Sequence, residues 1–444
     1  MNFSDEFRQN HYLSRYSPNG FFIANCVQYR LVVRDVKTLQ IVHLFTNLDA
    51  VDYMEWSPDS DFILCGMFKR GVTQVWSMEN PDWRCKIDEG MAGLVTVKWS
   101  PDSRHILTIA EFNIRITLWS LIDKSVSYFE YPKHANKGLD FTKDGHYMAL
   151  AERRNCKDFL SIFACKAWKM VKHFEVQTQD LSDIAWSPDG RALCVWDHIV
   201  YNKVCLYSMD GRCLSTYERP CFGLGVKTVT WSPTSQFLAI GGYDEKCRVF
   251  NHLTWKTIVE HKHSHVIDKN EVIVYKEVEN KPTYFKKENI SSFGSYIVTS
   301  KYEVKETPVQ IPLLKPDPEK PNPKVGVGHV SFSSKCQFMA TRNDNMPYTL
   351  WIWNVITLKL YAVLIQTSPI KTIQWDPQNE RVALCTGNNK LYFWSVAGCV
   401  TVDVPTESEA LFQVNSLSWH PDGDNMLLLS KDRMVVCFLS PPER

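Results

Sequence analysis

Trp56-Ser57-Pro58-Asp59-Ser60 reads as an aromatic anchor followed by a tight turn, and the same phrase returns as Trp99-Ser100-Pro101-Asp102-Ser103. Proline presets φ for the turn, and Asp, Asn, Ser or Gly after it favours a reversal. Working outward, the anchors are Tyr16, Trp56, Trp99, Phe141, Trp186, Trp231, Phe332, Trp375 and Trp419, separated by 40, 43, 42, 45, 45, 101, 43 and 44 residues. A short apolar strand follows each turn, as in FILCGM (62–67), FLAIGG (237–242) and MLLLSK (426–431). Near-continuous apolar runs mark strands buried on both faces. A further strand ends on a second aromatic, Trp76, Trp119, Phe163, Tyr207, Phe250, Trp353, Trp394 or Phe438, 19 to 22 residues after its anchor. Two independent constancies define one repeat.

A period of roughly 40–45 residues is the length of one four-stranded propeller blade. The expected fold class is therefore all-β, a WD40-type β-propeller in which residues 1–444 form a single nine-bladed ring. A seven-plus-two arrangement would leave apolar blade faces uncovered. Six residues follow Phe438, too few for a returning strand, so residues 1–8 are expected to close the ring. The first repeat is degenerate, with Arg34-Asp35 where the second aromatic belongs. The long interval holds one repeat plus residues 262–328, whose proline-rich end KPDPEKPNPK (315–324) reads as an extended linker. This segment is expected to be a long, partly mobile insertion between the sixth and seventh repeats. Apolar packing, rather than a Ser-His-Asp-Trp hydrogen-bond network, is expected to stabilise the blades.

Lys+Arg 50 against Asp+Glu 49 gives a formal charge of +1, so no global field draws the protein to nucleic acid or an anionic membrane. No stretch of 18 uncharged apolar residues predicts membrane insertion, and the start, MNFSDEFRQN, lacks a secretory pattern. Fourteen cysteines include no Cys-x-x-Cys pair, and several, such as Cys65, Cys194 and Cys385, lie within apolar runs. They read as free thiols in a reducing cytoplasm.

Catalytic chemistry finds little support. Gly223 to Thr228 (GLGVKT) lacks the spacing of a phosphate loop and precedes a strand. His261, His263 and His265 alternate, but they open a polar segment and read as a solvated loop rather than a metal site. No enzyme, cofactor or metal is expected. The charged hairpin tips are a different matter. Lys69, Arg70, Arg153, Arg154, Lys157, Asp158, Arg342 and Asp344 all fall between second and third strands, which open on one face. They are the candidate partner-binding residues, suited to an acidic or helical partner through paired arginine contacts.

Particular stretches carry a closer resemblance: CVQYRLVVRDV (26–36), Lys69 to Ser77, CKIDEG (85–90), YMALAERRNCKDFLSIF (147–163), TRNDNMP (341–347) and CTGNNKLYFWS (385–395). These include loops and span the chain. They resemble the family of centrosomal and spindle-pole WD-repeat proteins encoded antisense to a tumour-protein gene. The insertion matches more weakly, in VYKEVE and SKYEV. The resemblance implies a non-catalytic scaffold at the centrosome, centriolar satellites and spindle poles. It implies a coiled-coil microtubule-anchoring partner, in some lineages a minus-end-directed kinesin, and other satellite proteins. The implied roles are microtubule anchoring, spindle assembly and length control, and cilium assembly. Two alternatives are a translation-initiation-type nine-bladed propeller binding the ribosome and a substrate receptor for a ubiquitin ligase. The second lacks its expected Trp-Asp-x-Arg: the third strands end VWSM, LWSL, IWNV and FWSV.

Overall fold

The computed structural model describes residues 1–219, 223–268, 270–279, 283–285, 295–297, 300–317, 319, 323–405 and 412–439. Its regular structure is β-strand with three single-turn 3₁₀ segments. Among the described residues, nine blade sheets, antiparallel over their four-stranded cores, follow one another in chain order, beside two two-stranded ribbons. In the second blade, Tyr53–Trp56, Phe62–Met67, Val72–Ser77 and Arg84–Asp88 run from inner to outer strand.

Hydrophobic clusters show how the sheets are assembled. Each of the nine buried clusters straddles one seam between neighbouring blades. Met54, Trp56 and Ile63 of the second blade pack on Ala24, Leu31 and Val33 of the first. The pattern continues to the last seam, where Leu427, Leu429 and Val436 meet Tyr16 and Ile23. Nine sheets with nine seams make a closed ring, and each sheet buries its two faces against its neighbours.

The anchor tryptophans have a second task. Trp56 Nε1 donates to the Arg15 carbonyl (3.3 Å), Trp99 to Glu55 (3.3 Å), Trp231 to Ala185 (3.2 Å), Trp375 to Ser331 (3.2 Å) and Trp419 to Gln374 (3.2 Å). Each acceptor is the residue just before the preceding blade's anchor. Trp186 departs from the rule: its Nε1 has no partner, and its backbone N–H donates to Asp140 Oδ2 at 2.7 Å instead. The turns also join blade to blade. The backbone N–H groups of Asn19, Asp59 and Asp189 donate to the hydroxyls of Ser60, Ser103 and Ser235 at 2.9 to 3.0 Å. Those serines have φ near +60 to +70°, which is why glycine alternates with serine at the last position of the phrase. At Gly20 (φ +77°) only glycine fits, since a Cβ would lie 2.7 Å from the His420 ring.

The N-terminus closes the ring as expected, in two short pieces. Asn2 and Phe3 pair with Phe438 and Cys437, while Phe7 and Arg8 pair with Met434 and Arg433. Between them, Ser4 exchanges hydrogen bonds with Val436 on both its N–H and Oγ (2.9 Å each), and Glu6 pairs with Arg433 at 2.6 Å.

Two expectations need correction. The described part of the 262–328 insertion is largely strand rather than loop. Ile273–Glu279 runs parallel to Lys359–Ile365, the outer strand of the seventh blade, and Ser300–Lys305 pairs antiparallel to it, making a six-stranded sheet. The reason is alternation: Val274 faces the seam with the sixth blade, while Tyr275 and Glu277 face the eighth, where Tyr302 joins them. The second correction concerns hydrogen-bonded tryptophans. In the seventh blade the Thr341 hydroxyl receives Trp353 Nε1 (2.8 Å) and lies 2.7 Å from His263 Nε2. In the third, Trp119 Nε1 donates to Thr108 Oγ1 (2.8 Å), which is also bonded to Glu89. Polar relays therefore reinforce packing in these blades.

Candidate interaction face

Second-to-third-strand hairpins and blade-to-blade connections open on one face of the ring. Across blades two to four their tips touch in sequence. The Glu89 N–H donates to the Gly71 carbonyl (3.1 Å), next to Lys69 and Arg70. Gly93 packs against the Glu111 side chain. Asn113 Nδ2 reaches the Lys133 carbonyl (3.4 Å), and the Arg153 N–H donates to the Tyr131 carbonyl (3.3 Å). The Arg154 guanidinium lies over the Tyr131 ring at 4.6 Å. One continuous strip results.

Its crest is apolar. Met91 is 106 % exposed, Phe112 89 %, Ile114 62 % and Tyr131 50 %. Phe112 and Tyr131 hold φ of +61° and +60°, a region that costs a bulky residue of the order of 1–2 kcal/mol. Such strain concentrates at binding sites, and here it displays the Phe112 ring almost wholly to solvent. Met91, Phe112, Ile114 and Tyr131 carry no periodic signal, lying in the short connections EGMAG, EFNI and FEYP.

The charged tips flank this crest unevenly. Lys69 and Arg70 lie at one end, in a 3₁₀ turn, with Arg70 Nε on Asp49 at 2.6 Å. Arg153, Arg154, Lys157 and Asp158 lie at the other, where Lys157 pairs with Glu175 at 2.8 Å. Asp158 has no exposed side-chain surface. It accepts from Lys133 Nζ (2.9 Å), Arg153 (3.0 Å) and the Leu181 N–H (2.7 Å), which makes it an internal tie between blades. Arg154 is bound to the buried Glu152 at 2.7 Å. Burial raises the Asp180 carboxyl, but Lys133 and Arg153 outweigh it and hold the group below its usual range. Arg342 and Asp344 do not join the strip. They sit on the seventh blade, bonded to each other (3.4 Å), to the Ile370 carbonyl (2.8 Å) and to Lys227 (2.7 Å).

The histidines are placed differently from the expectation of a solvated loop. His261 and His263 are 4 % and 1 % exposed; only His265 faces solvent. Burial, and for His261 the neighbouring His263, pull both down to about 4. Among the described residues no group of three or more His, Cys, Asp or Glu is arranged to hold a metal, and no helix is long and apolar enough to cross a membrane.

A closed ring of blades built on four strands, with third strands that end on an aromatic in blades two to nine and relays through Thr341 and Thr108, is a WD40 β-propeller. The family model for the WD domain, G-beta repeat, matches residues 211–251, and that for eukaryotic translation initiation factor eIF2A matches 70–223. The C-terminal WD40 domain of Sif2 superposes with a TM-score of 0.52 at 12 % identity, covering 88 % of this chain and 96 % of that one, a likeness of fold alone. WD repeat-containing protein WRAP73 of Mus musculus is 52 % identical over 450 aligned positions, covering 100 % of this chain and 97 % of that relative. The chain belongs to the WRAP73 family of WD-repeat proteins. An uncharacterised WD repeat-containing protein of Schizosaccharomyces pombe is 24 % identical, covering 92 % of this chain and 84 % of that one.

Proposed function

We propose that this propeller is a non-catalytic scaffold of the centrosome, centriolar satellites and spindle poles. Its hairpin-tip strip holds a coiled-coil microtubule-anchoring partner, in service of microtubule anchoring, spindle assembly and length control, and cilium assembly. A minus-end-directed kinesin and other satellite proteins are further partners on this reading. Family membership supports the placement, and one observation carries the binding mode: the exposed crest Met91, Phe112, Ile114 and Tyr131, with Lys69 at one end and Lys157 at the other. An amphipathic helix with an apolar stripe and acidic flanks matches it. A stiff ring orders little on binding, so less entropy is lost.

Reversing Arg153 and Arg154 is a poor test, because it takes one of two cations from buried Asp158, leaving only Lys133, and removes the arginine bound to buried Glu152. Met91→Glu with Phe112→Glu changes only exposed groups. The double variant is expected to melt within about 2 °C of wild type, to lose at least tenfold in partner pull-down, and to leave the poles in dividing cells. Full localisation of a folded double variant would remove the strip from the proposal.

The eIF2A match over residues 70–223 favours a second reading, a propeller that binds the ribosome. Co-sedimentation with ribosomal subunits that falls steeply between 50 and 200 mM salt is its expected signature.

A further inference from the structure

The insertion does more than widen the seventh blade. It props open the outer end of the seam between blades six and seven, leaving a cavity of about 870 Å³. One bank is Val259 to Lys262 of the sixth blade's outer strand, and the other is Leu358 to Leu360 with Trp351 and Trp353 behind them. Ser264, Val266 to Asp268 and Asn270 to Val272 form the end wall. The volume lies in the range of ligand pockets, and the lining is mainly apolar: Val259, Ile267, Val272, Leu360 and the two indoles.

Three observations specify an occupant. First, both banks are unpaired strand edges. Thr257–Lys262 is the outermost strand of its sheet, bonded only to Lys246–Asn251. The insertion strand meets Lys359–Ile365 only from Ala362 onward, so the backbone at 359–361 has no neighbour on that side. An extended backbone is the group that satisfies such an edge. Second, the back of the cavity is an apolar indole pair: Trp351 and Trp353 lie stacked with ring centroids 6.1 Å apart, in one cluster with Leu360, a flat wall suited to one aromatic or long aliphatic side chain. Third, the rim charges are ordered. Asp268 and Glu271 lie on the loop bank, Lys262 and Lys359 on the sheet banks, and the sole ion pair across the mouth among the described residues, Lys359 with Glu271 at 3.5 Å, is almost fully solvated.

We propose that the wedge between blades six and seven binds an extended segment of a partner protein. The segment would pair with the free edge at 259–262, bury one aromatic or long aliphatic side chain against Trp351 and Trp353, and carry a basic residue on the side facing Asp268. This site is separate from the hairpin-tip strip and goes beyond the scaffold reading. It can bind whether or not the strip does.

The test uses a displayed library of random 12-residue peptides, panned on the full-length protein and counter-selected on Leu360→Trp, which narrows the cavity at the anchor's place without adding charge. The expected result is enrichment of peptides with one apolar anchor and a nearby Lys or Arg. Their affinity should fall at least tenfold with Leu360→Trp and on replacing the anchor by alanine. It should fall about threefold with Trp351→Phe, which shortens the indole wall against which the anchor packs. Bound peptide should slow hydrogen exchange at 259–262. Should Leu360→Trp fail to fold, Val259→Trp on the opposite bank serves, and the exchange measurement on wild type needs no variant. No enrichment over the counter-selection, or peptides that bind the narrowed variants equally well, overturns the proposal. Pole localisation of Leu360→Trp separates the two sites: loss with Met91→Glu/Phe112→Glu but not with Leu360→Trp leaves the strip as recruiter and the wedge as an additional site.

Discussion

Blades nine and seven both borrow strands from outside their own repeat, and they do so for different ends. The ninth takes residues 2–8 from the far end of the chain as the missing outer strand. The seventh already has four strands and takes two more on its outer edge. In the ninth blade the borrowed pieces are short, two residues each, yet they hold the seam where the circle closes: Phe3 joins the cluster with blade eight, and Phe7 joins the one with blade one. In the seventh blade the pairing is longer, but it lies outside the ring. Glu277 there accepts from the Tyr392 hydroxyl (2.7 Å) and the Thr367 N–H (2.9 Å), and Lys390 Nζ donates to Ser300 Oγ (2.9 Å), so the insertion clamps blades seven and eight from the rim. Closure is a matter of topology and the insertion a matter of local form. The first should govern whether the ring exists, the second what it presents at its side.

Removing residues 1–8 is the strongest way to break this comparison. Deletion uncovers the edge of Arg433–Phe438, leaves Arg433 without Glu6, and strips Phe3 and Phe7 from two seams. The expected result is a melting temperature at least 10 °C lower, or aggregation on expression. A shift below about 3 °C would show that the circle holds without its latch.

Acid tests the other seam. His261 stacks on Trp353 at 4.1 Å, His263 is bonded to the Glu245 carbonyl and Thr341, and His329 lies near Arg342 and Asp344. All three are pulled down to about 4, chiefly by burial. An unfolded histidine takes up its proton near 6.5, so between about 6.5 and 4 the unfolded chain binds more protons than the folded one. Their contribution is fully present above 6.5 and is lost as pH falls toward 4, of the order of 2 kcal/mol for each by pH 5. All three belong to the junction of blades six and seven. Hydrogen exchange at pH 5 should therefore quicken in Thr257–Lys262 and Val327–Phe332 before it does in Arg433–Phe438. Simultaneous opening of both seams would contradict the assignment.

What the sequence made legible follows from what repeats. Anchor aromatics and turns recur because each sits in the same seam geometry, so nine blades and an N-terminal latch could be read without coordinates. The insertion happens once, and its strands are recognisable only through the partner they meet: NEVIVYKEVE alternates, but nothing in it names Ala362–Ile365 as a parallel neighbour. His261 and His263 looked solvated because their flanks are polar, whereas Trp351 and Trp353, ninety residues on, supply the cover. The candidate tips were found by charge, and charge misjudged Asp158, which is fully covered by Lys133 and Arg153. It also missed Phe112, whose exposure depends on a backbone conformation that sequence does not spell out.

The smallest expected effect sharpens the division between closure and clamp. Glu277→Gln keeps the volume and one acceptor oxygen, but it places an amide NH₂ where one oxygen now receives a hydrogen bond. Tyr392 sits on one carboxylate oxygen and both groups of Thr367 on the other, so whichever way the amide turns, one side loses its acceptor. The cost of an unmet buried donor is about 1–3 kcal/mol. For a ring of this size the shift in melting temperature should stay within about 1–3 °C, and the first strands to gain exchange should be Ile273–Glu279 and Ser300–Lys305. The seam of the two termini should be unaffected. If Glu277→Gln instead loosened Arg433–Phe438 as strongly as the deletion does, the insertion would be part of the ring's own closure, and the separation drawn between blades seven and nine would fall.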